Sequence, residues 1–241
     1  KLGRIHDSAQ AESAVKLAQD AGFDNINLDL MYALPGQDLA AAEYDLQRAF
    51  ALDPAHISHY QLTLEPNTIF FAKPPKGIPD EDAAWDIQEH CQAMLAEAGF
   101  AQYEVSAYAR PGRQCAHNLN YWRFGDYLGI GAGAHGKISS GAGQHVLRRW
   151  KHKHPQTFMD TAGTPASIGD DDLIDASRLP FEYMLNLLRL HEGFAERDFS
   201  SRTGLDADVL SSGLATAKAR GCPTAMATGN PPSWAVVSPT M

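Results

Sequence analysis

The sequence has too few cysteines for a disulfide framework. Cys91, Cys115 and Cys222 are its whole complement in 241 residues and lie far apart, so a reducing cytoplasm is the simplest setting. No apolar run approaches the roughly 18 residues of a membrane span, and no transmembrane segment is expected. Positive charge is scarce. The formal net charge of -9 at pH 7 has the wrong sign for a chain drawn to nucleic acid or to anionic membrane, although peripheral membrane contact through a local patch stays open. There is no G-x-S-x-G for a nucleophile elbow and no G-x-x-x-x-G-K-S/T phosphate loop. There is no C-x-x-x-C-x-x-C run either, so a cluster site of that type is absent from this chain. The chain opens on Lys1-Leu2-Gly3-Arg4-Ile5-His6, with neither Met nor a signal peptide, and reads as a fragment. Apolar residues at 44% and charged residues at 20% are ordinary for a globular protein, whose partner is then a small molecule or another protein.

What is present is largely an alternation of helical and strand patterns. Asp7 or Ser8 can cap a helix with Ala11, Ala14, Val15, Ala18 and Ala21 at helical spacing, stopped by Gly22. Asn25 to Leu34 alternates as a strand, with Ile26, Leu28, Leu30 and Tyr32 on one side and Asn27, Asp29 and Met31 on the other. Asp38 opens a helix to about Leu52. Ile57 to Leu64 alternates again, setting Tyr60, Leu62 and Leu64 against His59, Gln61 and Thr63. Asp80 caps a helix whose stripe is Trp85, Gln88, Cys91, Leu95 and Ala98. Tyr103 to Tyr108 and Tyr127 to Gly131 are further strand-like stretches. Such alternation argues for βαβ units and a parallel sheet. One side of two successive strands is polar, as Asn27 and Asp29 and then His59, Gln61 and Thr63. A barrel with a ligand-filled lumen requires such a face, and a solvated face reads the same way.

Residues 155–172 turn to Thr, Gly, Ser and Asp and read as a linker. A small helical part follows over 173–221. Leu179 to His191 carries Phe181, Met184, Leu185 and Leu188 on one stripe, and Ala195 to Thr203 and Asp206 to Ala219 suggest two helices resembling a winged-helix module. Residues 222–241 contain no charged residue and four prolines and continue neither pattern.

Several clusters bear on chemistry. Gly131-Ala132-Gly133-Ala134-His135-Gly136 matches G-x-G-x-x-G, but no helical pattern follows, so the glycines mark close backbone approach rather than a dinucleotide site. Cys115 and His117 form a Cys-x-His pair that lacks the second pair of a structural zinc site. His145, His152 and His154 lie among Arg148, Arg149, Lys151 and Lys153. That basic stretch could meet carboxylates such as tetrapyrrole propionates, or be a solvated loop. His117-Asn118-Leu119-Asn120-Tyr121-Trp122 is the densest group. A neutral imidazole is a common axial ligand of haem iron and aromatic rings suit a porphyrin face, while on residue type alone a packed histidine is the commoner outcome.

Taken together, Leu2-Gly3-Arg4, the run Gly22 to Gln37, Glu65-Pro66-Asn67-Thr68, Tyr103 to Tyr108, His117-Asn118 through Trp122 and Gly129 to Gly136 resemble the radical-SAM oxygen-independent coproporphyrinogen III oxidase family. The H-N-x-x-Y pattern of His117, Asn118 and Tyr121 is similar to the haem-binding mark of its haem-chaperone branch. The resemblance implies an α/β fold: part of a radical-SAM β/α barrel with parallel strands over 1–154, then a small winged-helix-like domain. It implies that Arg4 and Asp29 contact S-adenosylmethionine, with Thr63 near a strand-end cofactor position. It further implies that His117 meets haem iron, with Asn118 and Tyr121 at the haem. A 4Fe–4S cluster belongs to the family, with its ligands outside this fragment. The function implied is that of a cytoplasmic haem chaperone passing haem to acceptor haemoproteins. The alternative is oxygen-independent oxidation of coproporphyrinogen III.

Overall fold

A computed structural model describes residues 7–140 and 145–220. The chain divides into two compact units, 1–115 and 116–241, so the division falls ahead of residue 116 and not near 154. In the first unit α1 (Ser8–Asp20), β1 (Asn27–Tyr32), α2 (Leu39–Phe50), β2 (His56–Gln61), α3 (Ile69–Ala72), α4 (Glu81–Glu97), β3 (Ala101–Glu104) and β4 (Ala107–Ala109) follow in order. In the second are α5 (Ala116–Trp122), β5 (His135–Ser140), β6 (His145–Lys151), α6 (Pro155–Thr161), β7 (Ile168–Ile174), α7 (Leu179–Leu187), α8 (Glu196–Thr203) and α9 (Ser211–Ala219).

Local chemistry sets the helix starts. Asp7 and Gln10 form a reciprocal capping box on α1. Asp38 accepts from Ala41 N–H and Asp80 from Ala83 N–H, each at 2.9 Å, satisfying donors that a first turn leaves unpaired. Glu81 and Asp82 then place negative charge at the positive end of α4.

The first unit's sheet runs β1-β2-β4-β3. β1 and β2 are parallel, with Asn27 opposite His56 and Asp29 opposite Ser58, whereas β2–β4 and β4–β3 are antiparallel. The sheet is therefore mixed. The stretch from Tyr103 to Tyr108 is a hairpin, not one strand, because the chain turns between Glu104 and Ala107. Leu28, Leu30, Tyr32, Ile57 and Tyr108 share a core with Ala42, Leu46 and Ala49 of α2 and Ala84, Ile87, Cys91 and Leu95 of α4. A fully buried Leu or Ile contributes roughly 1.5–3 kcal/mol relative to exposure. The buried stripe of α4 passes through Ala84 rather than Trp85, which stands one position off it and is 58% exposed. β2 is also one residue out of phase with the sequence expectation. His56 and Ser58 share the face of Asn27 and Asp29. His59 lies on the opposite face, stacked on Tyr32.

The second unit has an antiparallel sheet, β5-β6-β7. Residues 155–172 are not a linker. They form α6, a 3-10 turn at Pro165–Ser167 and most of β7. Three successive aspartates discourage a strand by propensity, yet they lie opposite the basic strand β6, with Arg148 facing Asp172 and Arg149 facing Asp171. Both oxygens of Asp171 accept from Arg149 at 2.7 Å, and Arg148 reaches Glu182 at 2.6 Å. The basic stretch is thus a paired strand and not a solvated loop. Tyr127 to Gly131 is no strand; its one ladder contact is an isolated bridge from Tyr127 to Lys137. On α7 the buried positions are Leu179, Glu182, Tyr183 and Leu187, while Phe181 and Leu185, with Leu188 just past the helix, are exposed and Met184 is half-buried, so the expected stripe does not face the core. Tyr183 is the aromatic hub, meeting Phe124, Phe194 and Phe199 edge-on. Among the described residues no helix is long and apolar enough to cross a membrane.

Candidate functional site

Two constellations carry chemistry, one in each unit. The first is built around Asp29 on β1, exposed on the face that α2 and α4 leave uncovered. Asn27 Nδ2 donates to Asp29 Oδ1 at 2.8 Å. Asn27 Oδ1 lies 2.6 Å from His56 Nδ1 and accepts from Ser58 Oγ at 3.1 Å. His56 Nε2 lies 2.7 Å from the Tyr103 hydroxyl, which also accepts from Cys115 N–H at 3.2 Å. Burial pulls His56 below the ordinary imidazole value, with Asp29 and Glu104 opposing it; burial likewise raises Tyr103. Both shifts favour neutral groups. The network ends on a carboxylate with one oxygen engaged, which suits a ligand bearing ammonium or hydroxyl donors. Arg4 lies outside the described residues. Thr63 sits beyond the end of β2, exposed, its hydroxyl donating to Glu65 at 3.0 Å.

The second constellation is on α5. His117 and Tyr121 are four residues apart, which puts them on one helix face. Their rings meet edge to face with centroids 4.7 Å apart, and Tyr121 meets Tyr127 at 4.4 Å. His117 is exposed and Asn118 half-buried. Tyr127 is held by paired backbone bonds, its N–H to Lys137 O at 3.0 Å and Lys137 N–H to its own carbonyl at 2.9 Å. Beneath this bridge Lys137, 3% exposed, donates to Phe124 O, Asp126 Oδ1 and Ser139 Oγ, and its ammonium sits 3.9 Å from the Phe124 ring centroid. Burial pulls Lys137 down and Asp126 opposes it. Burial works to raise Asp126, but bonds from Ser139 and Lys137 outweigh it and hold that carboxyl below the ordinary range.

The glycine-rich stretch closes the arrangement by backbone proximity. A Cβ on Gly129 would lie 2.4 Å from His135 O, and one on Gly136 would lie 3.1 Å from Gly129 N. Strand β5 then follows, in place of the helix a dinucleotide site needs. This crossing projects Leu128 and Ile130 outward, 78% and 89% exposed. An exposed imidazole beside two tyrosine rings can present a nitrogen ligand and aromatic surface to a planar molecule.

Cys91 is wholly buried, and burial pushes its thiol up to about 11. Among the described residues no three His, Cys, Asp or Glu side chains gather as for a metal ion, so this donor set does not fit an iron–sulfur cluster. His56 and Lys137 are not among the residues that the sequence singles out, and Tyr103 and Tyr127 stand there as positions in strand-like stretches and not as site residues. The signal for His56 was its place opposite Asn27 in a parallel pair; for Tyr127 and Lys137 the sequence offered none.

No family model matches the chain. It is 49% identical over 221 residues to the "Heme chaperone HemW" of Escherichia coli (strain K12), covering 92% of this chain and 57% of that one. The protein of the same name from Haemophilus influenzae is 48% identical over 210 residues, covering 87% of this chain and 53% of its own. That from Bacillus subtilis is 33% identical over 213 residues, 87% of this chain and 55% of its own. The chain thus spans about half the length of the curated relatives it matches. Among solved structures, the coproporphyrinogen III oxidase HemN from Escherichia coli, described as a radical SAM enzyme, aligns with a TM-score of 0.71 at 19% identity. That alignment covers 91% of this chain and 54% of HemN. The fold is therefore similar to that of HemN. On its sequence the chain is similar to the proteins named heme chaperone HemW, at 33–49% identity over about half of their length.

Proposed function

We propose that this chain is part of a haem chaperone, in which haem iron is bound by His117 while Tyr121, with Tyr127 behind it, lines the porphyrin face. The observation that carries this reading is the exposed His117 edge-on to the Tyr121–Tyr127 pair on a rigidly bridged support. The names of the relatives at 33–49% identity support a chaperone over coproporphyrinogen oxidation, since the oxidase shares only 19%. Asn118, half-buried one position from His117, orients the helix at the haem. In the first unit, Asp29 and Arg4 contact S-adenosylmethionine, whose bound role in such proteins is to supply a radical-forming sulfonium. The 4Fe–4S cluster of the complete protein is held by residues other than this chain's three dispersed cysteines. The mixed sheet of the first unit is part of a β/α barrel, and α7 to α9 form a winged-helix-like domain. The haem passes to acceptor haemoproteins in the cytoplasm, where free thiols such as Cys91 and Cys115 persist.

The test is a haemin titration of this chain beside His117→Ala, followed by the Soret band. A saturable shift in the parent that is lost in the variant supports the reading. Equal spectra for two folded proteins remove His117 as the ligand.

A further inference from the structure

The hydrogen bonds beneath Asp29 can be assigned a direction at every link. Asp29 accepts only, so the atom of Asn27 at 2.8 Å from its Oδ1 must be the amide nitrogen; the flipped amide would set two oxygens against each other. Asn27 Oδ1 therefore faces His56, and because an amide oxygen only accepts, His56 Nδ1 at 2.6 Å must carry a proton. A neutral ring has a single proton, so Nε2 accepts from the Tyr103 hydroxyl at 2.7 Å, and Tyr103 in turn accepts from Cys115 N–H at 3.2 Å. Every donor in the series points towards the carboxylate. Ser58 adds a second donor to Asn27 Oδ1 at 3.1 Å and so opposes any turn of the amide.

We propose that His56, as the neutral Nδ1–H tautomer, is a positioning residue for Asp29. It locks the Asn27 amide, which holds Asp29 Oδ1 and leaves Oδ2 directed at an incoming ammonium or hydroxyl donor. The proposal rests on the reading of Asp29 as a contact of S-adenosylmethionine, and extends that site to two residues that touch no ligand. Without His56 the Asn27 oxygen keeps only the longer bond from Ser58, the amide and the carboxylate it holds sample more rotamers, and part of the binding free energy goes into ordering them.

The test uses His56→Leu, which has no donor, and His56→Asn, whose amide nitrogen takes the place of Nδ1 but cannot reach Tyr103. Long-range nitrogen–proton spectra of the labelled chain should show His56 protonated at Nδ1 and bare at Nε2. Three-bond couplings to Asp29 Cγ should report one rotamer in the parent and in His56→Asn, and averaging in His56→Leu. Calorimetric titration with S-adenosylmethionine should find binding about five- to tenfold weaker in His56→Leu and nearly restored in His56→Asn, the loss of about one hydrogen bond. If His56→Leu does not fold, Tyr103→Phe, which deprives Nε2 of its donor, should shift the tautomer and loosen the same couplings. An Nε2–H tautomer, or an averaged Asp29 in the parent, overturns the proposal. Binding lost in Asp29→Asn but untouched in His56→Leu overturns it while sparing the S-adenosylmethionine reading. Binding unchanged in Asp29→Asn overturns that reading instead, and the couplings alone then decide the role of His56.

Discussion

His59 stacks on Tyr32 with ring centroids 4.6 Å apart and planes 19° from parallel. Burial strips the ring of water and pulls its pKa from 6.5 to about 4. The folded chain thus keeps a neutral imidazole through a range in which the unfolded chain takes up a proton. Stability from this source is whole above about pH 6.5, falls as the pH drops towards 4, and levels off below it. At pH 4.5 the unfolded state has gained about 2.7 kcal/mol from the proton and the folded state about 0.2, a net loss of about 2.5 kcal/mol. The comparison is with His59→Phe, which keeps a ring against Tyr32 and cannot protonate. Urea unfolding of both proteins at pH 7 and pH 4.5, followed by circular dichroism, should show the parent losing about 2.5 kcal/mol more than the variant. Carboxylates and the other histidines titrate in both proteins and cancel. Equal losses, or a His59 that titrates near 6.5 in the native spectrum, would refute the reasoning.

Asp126→Ala should cost about 2–3 kcal/mol in urea unfolding, because it leaves the Lys137 ammonium buried with only a carbonyl and a hydroxyl. Lys137→Met, which removes the charge as well, should give a double variant less unstable than the sum of the two; strict additivity would show that the pair does not act as a unit. Gly129→Ala forces a Cβ against His135 O and should cost about 1–3 kcal/mol while weakening haemin uptake. Gly213→Ala on α9, where a Cβ meets nothing within 4 Å, should be neutral or stabilising. Native-state alkylation read by mass spectrometry should label the half-buried Cys115 before Cys91, which is closed to solvent and whose thiol is pushed up to about 11. Early modification of Cys91 would place it outside the core.

The features that sequence made legible are those whose cause is local. Asp38 and Asp80 cap the helices they precede because the donors they satisfy lie three residues on. The H-N-x-x-Y spacing sets His117 and Tyr121 on one face because a helix returns in four residues. Alternation placed Asp29 correctly on the face that the helices leave open. The same alternation, started one residue late on β2, assigned His59 to that face and left out His56. In a strand of period two a single step exchanges the sides, and register is set by the partner strand. The aspartates of β7 read as loop for a related reason, since what makes them a strand is the row of arginines on β6. His59 and His56 are three residues apart and identical in type, yet one is a neutral core ring and the other a link to a carboxylate. That difference comes from Asn27, which is 29 residues away in sequence and directly opposite His56 in the sheet.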